Sequence, residues 1–268
     1  MSAASTCRCS ASADPGLKRD VGMRIDLNAD VGEECGDDAA LIPLLTSANI
    51  ACGAHAGNPA TMRRTVEACL AHRVRIGAHV AYPDREHFGR RDLDLPPAEV
   101  TASVAGQLRV LAAITQSAGT EVRYLKAHGA LYNRMADDAA TADAVIAALK
   151  DFSPALKLLT LPDSVATRRA AAAGVEAIGE AFADRGYRDD GRLQPRGEPG
   201  ALLTGASEVT SRALAWLRGG MMPSVDGKPF ELEARSLCVH GDTPGAVAMA
   251  AALREALLDA GIELAAFT

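Results

Sequence analysis

From Arg24 onward the chain alternates short apolar runs with longer amphipathic ones. The short runs are RIDLNAD (24–30), SANIAC (47–52), RIGAHVA (75–81), RYLKAHG (123–129), KLLTLP (157–162), VEAIGEAF (175–182) and SLCVHGD (236–242). Each has the length and composition of a strand. Side chains alternate across a strand, so the first run sets Asp26, Asn28 and Asp30 on one face, and the fourth aims Lys126 and His128 together. At Gly129 the pattern turns helical. Between the runs lie NPATMRRTVEACLAHR, PPAEVTASVAGQLRVLAAITQSAG and DSVATRRAAAAG, and a last helix runs from Pro244 to about Gly261. Asn58-Pro59 and the PPAE run are helix starts, because proline is tolerated in a first turn. Gly119 and Gly174 are natural helix ends.

Repeated strand–helix units predict a parallel sheet with right-handed crossovers. Seven candidate strands with no linker between them predict an α/β fold, one seven-stranded (β/α) barrel over residues 23–268; an open doubly wound sheet is the alternative. In a barrel the chemistry belongs at the C-terminal ends of the strands. The polar residues gather there: Asp26, Asn28 and Asp30; Asn49 and His55; His79, Tyr82 and Asp84; Lys126 and His128; Glu180 and Asp184; His240 and Asp242. A random scatter would not favour one end of six strands.

Composition narrows the classes. The chain has 268 residues, is 48% hydrophobic and 23% charged, and carries a net charge of −6, as an ordinary globular protein does. That balance, with no Lys/Arg block among aromatics, argues against a nucleic-acid surface. No apolar run approaches the roughly 20 residues that span a membrane. Residues 1–22 are small, polar and patternless and are expected to be disordered; they lack the apolar core of a signal peptide, and Met23 is a candidate start. Cys7 and Cys9 have no Cys/His cluster to complete a zinc site, and Cys35, Cys52, Cys69 and Cys238 are scattered, which reads as reduced thiols in the cytoplasm.

Each polar residue has a plain reading beside the chemical one. Lys126 and His128 could be solvated at the rim, and Asp26 could be satisfied by backbone donors. Asp30 precedes VGE, a turn at a strand end, where function concentrates. His72 suits a helix C-terminus, His87 suits loop packing, and Asn133 suits a cap. Arg90 and Arg91 are surface charges or a fork for a substrate carboxylate or phosphate. There is no phosphate loop, dinucleotide fingerprint, HExxH or nucleophile elbow. Histidines and carboxylates at one face could bind a divalent metal, but no tight ligand spacing supports it, so the metal stays open.

DLNADVGE, NIACGAHAGNP, GAHVAYPDREHFGRR, LKAHGALYN, EAFADRGY and CVHGD together resemble the signature blocks of the LamB/YcsF family, from about Met23 to the C-terminus. The resemblance implies a barrel of the glycoside hydrolase/deacetylase kind. It also implies ATP-dependent opening of 5-oxo-L-proline to L-glutamate, shared with partner subunits B and C of 5-oxoprolinase. Deacetylases on the related fold use an HxxxH pair, which is absent here, so their metal chemistry does not carry over by motif.

The five-membered lactam holds amine and carboxyl at high effective molarity, so ring opening needs a driving reaction. Phosphorylating the lactam oxygen supplies one. The site must then hold a carboxylate, neutralise phosphate and activate water. On that basis Asp30 is expected to activate water with His128 or His55, and Lys126 to stabilise charge, with His79 beside them. Asn28, Arg90, Arg91, Glu180 and His240 are the expected substrate contacts. With no phosphate loop, ATP is expected to bind mainly on a partner, docked where the loop YPDREHFGRR (82–91) borders the mouth. The competing classes are a stand-alone metal-dependent amide or sugar deacetylase and a pure binding protein whose catalytic residues all lie in its partners.

Overall fold

The structure is a computed structural model and describes residues 22–268. The tail expected to be disordered lies outside the described residues, apart from Gly22. Strands β1 (Arg24–Val31), β2 (Ser47–Ala51), β3 (Arg75–Val80), β4 (Tyr124–Ala127), β5 (Lys157–Thr160) and β6 (Ala177–Phe182) follow one another in parallel register. A short hairpin, β7 (Met221–Pro223) and β8 (Pro229–Glu231), precedes β9 (Ser236–Cys238). β9 pairs with both β6 and β1, which closes the barrel and rules out the open sheet. β10 (Glu263–Leu264) adds beside the start of β1. All seven strands expected from the sequence are the barrel strands.

The helices are α1 (Asp38–Leu41), α2 (Pro59–Ala71), α3 (Pro97–Ser117), α4 (Gly129–Asp137), α5 (Ala139–Phe152), α6 (Val165–Ala172), α7 (Ala206–Gly219) and α8 (Ala246–Asp259). Asn58 caps α2 by accepting from the Ala60 and Thr61 amides, with Pro59 just inside, as its sequence suggests. The helices cover outward-facing residues such as Ile25, Leu27, Ala29 and Val31 of β1, which join the main apolar core. No described helix is long and apolar enough to cross a membrane.

The barrel interior is layered. Tyr124, Leu159, Ile178 and Phe267 plug the bottom as a separate apolar cluster. Above them lies a polar layer in which the Asn28 amide donates to Ser236 Oγ at 2.7 Å, and Asn49 Nδ2 donates to Asn28 Oδ1 and Asp30 Oδ1, both at 2.8 Å. The Tyr124 hydroxyl donates to Asn49 Oδ1 at 2.7 Å, tying plug to layer. Polar alternation along β1 thus reads as a buried hydrogen-bond ladder that ends at the mouth.

Asp26 belongs to this layer. The Thr46 and Ser47 hydroxyls donate to its Oδ1 at 2.6 Å, and Ser236 donates to Oδ2. Its donors are hydroxyls rather than the backbone amides expected. Burial raises its carboxyl to about 6 although these hydroxyls pull the other way. The native state therefore holds this proton more tightly than the unfolded chain does. The associated stability is complete below the unfolded carboxyl value and is lost as pH rises through about 6. Relative to Asp26→Asn, which does not titrate, the wild type should lose roughly 3 kcal/mol between about pH 4 and pH 6. Urea unfolding of both proteins across that window checks it; a pH-independent difference would show that Asp26 is not so perturbed.

Candidate active site

The C-terminal strand ends open into a cavity of about 620 Å³ lined by Asp30, His79, Lys126, His128, Phe182 and His240, among others. Lys126, from β4, is its central cation. Its Nζ lies 2.9 Å from Asp30 Oδ1, 2.8 Å from Glu180 Oε1 and 3.2 Å from Cys238 Sγ, and 5.3 Å from the centre of the Phe182 ring. Burial works against its charge, but Asp30, Cys238 and Glu180 outweigh this and hold it well above the usual lysine range. Burial alone would raise the Asp30 carboxyl; His79 and Lys126 outweigh it and hold it well below the usual range. Burial pushes the Cys238 thiol up despite the neighbouring ammonium.

The histidines form a second group. His79 Nε2 lies 2.9 Å from His128 Nδ1, 3.3 Å from Asp30 Oδ2 and 3.7 Å from Glu33 Oε1. Glu33 Oε1 is also 2.9 Å from His55 Nε2 and 3.2 Å from His128 Nδ1. Burial lowers His55 to about 3 and lowers His128 as well, which disfavours the charged form of both rings. Burial would raise Glu33, yet His128 and His55 more than reverse it and keep it ionised. The four side chains bring their ligand atoms within 4.8 Å of one another. A donor set that could hold a metal ion is therefore assembled from separate strand ends rather than from a local pair, which is why no tight spacing betrays it.

Two glycines make this packing possible. A Cβ on Gly89 would come within 2.9 Å of His55 Cβ and 3.2 Å of His128 Cδ2. One on Gly129 would meet the Gly89 carbonyl oxygen at 2.6 Å, and its φ of +57° turns β4 into α4. The loop 82–91 thus lies against the histidines, and its Arg90 lines the cavity mouth that the loop is expected to border. It is wound into a turn over Arg85–His87. His128 Nε2 is 2.9 Å from the Phe88 carbonyl oxygen.

A third group is Asp184 with His240. His240 Nδ1 lies 2.8 Å from Asp184 Oδ1, while the His240 amide and the Thr243 hydroxyl donate to Asp184 Oδ2 at 3.1 and 2.9 Å. His240 stacks on Phe182 with ring centres 5.4 Å apart. Burial would raise Asp184, but His240 outweighs it and keeps the carboxylate ionised.

Among the expected site residues, Asp30, His55, His79, Lys126, His128, Glu180 and His240 come together. Asn28 does not reach the cavity: it is fully buried below the mouth and engaged by Asn49 and Ser236, so it positions Asn49 instead of touching a ligand. Arg90 lines the cavity and pairs with Asp242. Arg91 turns away to Asp84, 3.2 Å from its Oδ1, and is half exposed, so it is not part of the lining. His87 pairs with Asp84 outside the cluster. Sequence reasoning missed Glu33, and it missed the arginines at positions 185, 188, 192 and 196, which line the outer cavity from the loop after β6. Arg185 is buried there, donating from Nε to the Ala201 carbonyl at 3.0 Å and from Nη2 to the Gln194 carbonyl at 2.6 Å.

A closed barrel of seven parallel strands with buried histidines, carboxylates and a lysine at its mouth is a (β/α) barrel of the glycoside hydrolase/deacetylase kind. A carbohydrate esterase of family 4 from Streptomyces lividans, solved with acetate, shares that fold alone: TM-score 0.50, 10% identity, 92% of this chain and 93% of that one. The chain belongs to the LamB/YcsF family, which matches residues 25–268. It is 49% identical over 248 residues to the A subunit of 5-oxoprolinase from Kocuria rhizophila, covering 91% of this chain and 98% of the relative. A lactam utilization protein from Thermus thermophilus superposes with TM-score 0.86 at 41% identity, covering 91% of this chain and all of that one.

Proposed function

We propose that this chain is the A-type component of a 5-oxoprolinase and opens the lactam of 5-oxo-L-proline to L-glutamate, coupled to hydrolysis of ATP. The observation that carries the reading is 49% identity across nearly the whole of a relative with that name, with a mouth equipped for an anionic amide. ATP phosphorylates the lactam oxygen, one water adds to the activated carbon, the C–N bond breaks with a proton to nitrogen to leave an acyl phosphate, and a second water hydrolyses that acyl phosphate to release phosphate. The net change is 5-oxoproline, ATP and two waters to glutamate, ADP and phosphate.

The roles divide by environment. The substrate carboxylate and the transferred phosphate need cations, which Arg90 and the arginine-bearing loop after β6 supply at the cavity wall. Lys126, kept cationic, stabilises charge at the lactam oxygen. Asp30 is too acidic and too firmly paired to accept a proton from water, so its expected role as base passes to His240. Asp184 fixes the His240 ring through Nδ1 and leaves Nε2 for the cavity. The chain shares the reaction with B and C subunits in the cytoplasm: nucleotide binds mainly on a partner, and docking over the mouth shields the phosphorylated species from bulk water.

The test is glutamate formation from 5-oxoproline and ATP by the purified chain, then with B and C subunits added. Turnover on reconstitution alone supports the shared reaction. Full turnover by the isolated chain rejects the sharing, and no turnover in either case rejects the activity. Chelator-sensitive amide or sugar deacetylation without nucleotide would favour the stand-alone hydrolase instead.

A further inference from the structure

We propose that Glu33, His55, His79 and His128 bind a divalent first-row transition-metal ion of the zinc type at the inner wall of the cavity. The inference does not depend on the lactam reading, because it concerns metal bound by the chain alone.

The separations have the right size. Four of those among the ligand atoms are 2.9, 2.9, 3.2 and 3.7 Å. Donors about 2.0–2.2 Å from a tetrahedral zinc ion lie roughly 3.3–3.6 Å apart, a range that falls within the span of these four separations, and all the ligand atoms lie within 4.8 Å of one another.

The ring nitrogens carry the argument further. His128 Nε2 is 2.9 Å from the Phe88 carbonyl oxygen, and a carbonyl only accepts, so His128 bears its proton there and presents a bare Nδ1. His79 Nδ1 faces the Lys126 carbonyl at 3.3 Å by the same logic, which leaves Nε2 bare. Two lone pairs then face each other at 2.9 Å, with the Glu33 carboxylate beside them. Moving the His79 proton to Nε2 only transfers the clash to the Lys126 carbonyl. Something positive must sit between these atoms: a metal ion, or a second proton on His79. Backbone carbonyls hold the far nitrogens of His79 and His128, and such carbonyls are the usual orienting partners of ligating histidines.

The donor set selects the ion. Three imidazoles and one carboxylate, with no sulfur, suit zinc and its neighbours better than calcium or magnesium. Imidazole ligates a metal as a neutral ring, so the ligated set would bring only the Glu33 carboxylate charge to a dication. His79 and His128 line the cavity, which provides an entry path.

The experiment uses the full chain, stripped with a chelator and dialysed. Zinc titrated calorimetrically should bind saturably at one equivalent and raise the melting temperature. Cobalt(II) in its place should give visible d–d bands without a near-ultraviolet thiolate band, since no ligand is sulfur. Glu33→Gln, close in shape, should weaken binding by at least roughly tenfold. Circular dichroism of the metal-free variant confirms that it is folded, and His55→Gln provides a second removal of a donor if it is not. Absence of saturable binding by the wild type overturns the proposal and leaves the imidazolium. A thiolate-to-cobalt band assigns the ion to a cysteine and overturns it too, as does undiminished binding by both variants.

Discussion

Replacing Lys126 by methionine should have two separable effects: a loss of about 3–5 kcal/mol of stability, and a fall of roughly two to three orders of magnitude in glutamate formation by the assembled enzyme. Lys126 is 2% exposed and flanked by Asp30 and Glu180 at 2.9 and 2.8 Å. Deleting the ammonium strands two carboxylates in the barrel interior, which costs far more than the pair's net contribution in the intact protein. Methionine keeps most of the side-chain volume, so a cavity contributes little. The triple variant Lys126→Met, Asp30→Asn, Glu180→Gln separates the effects, because it removes the stranded charges as well. It should recover most of the stability and none of the turnover. Urea unfolding and reconstituted turnover read the two quantities. Near-normal turnover in the single variant, or recovered turnover in the triple one, would show that Lys126 is structural only.

The barrel was legible because its strands obey a local rule. In β1 the outward Ile25, Leu27, Ala29 and Val31 alternate with Asp26, Asn28 and Asp30, and every one of these polar side chains enters the interior. The same period sets Lys126 above Tyr124 in β4. Closure of the sheet, by contrast, depends on β9 meeting both β1 and β6, a long-range pairing that no local pattern encodes. The β7–β8 hairpin escaped because its strands are too short to show a period.

Where the chain leaves regular dihedrals, side-chain direction can no longer be counted off. Glu33 follows Gly32 (φ +72°) and precedes Glu34 (φ +61°), so two left-handed residues swing it in among the histidines, although strand alternation from Asp30 would point position 33 the other way. Phe88 (φ +56°) and Gly89 (φ +66°) do the same to the arginines that follow, sending Arg90 to Asp242 at the mouth and Arg91 back to Asp84. The arginine-bearing loop after β6 is held by single bridges, Arg185 to Leu202 and Tyr187 to Leu193, and by the Phe182 amide donating to the Tyr187 hydroxyl oxygen at 2.7 Å. None of these leaves a sequence period. His240 and Asp184 were both visible as polar residues near strand ends, but their pairing was not, since Asp184 lies 56 positions earlier.

That partnership gives the second large effect. His240→Gln should lower turnover of the assembled enzyme by roughly two to four orders of magnitude, the usual contribution of a positioned acid–base group, with little change in melting temperature. Glutamine keeps an amide donor for Asp184 Oδ1, now 2.8 Å from His240 Nδ1, and keeps the backbone amide that donates to Oδ2 at 3.1 Å. What it lacks is a nitrogen that can take a proton from water and return one to the leaving amine. Asp184→Asn tests the same unit from behind: the ionised carboxylate that fixes the ring is replaced by a group that can donate to Nδ1 and so turn the tautomer round. It should lose turnover by a similar factor while substrate affinity changes little, because Asp184 is fully buried and does not line the cavity. His240 also lies outside the Glu33 donor set, so metal content should be unchanged in both variants. Steady-state kinetics with metal analysis on the same preparations decides the matter. Near-normal turnover in His240→Gln would return proton transfer to the histidines beside Glu33, and a loss confined to KM would make His240 a binding group only.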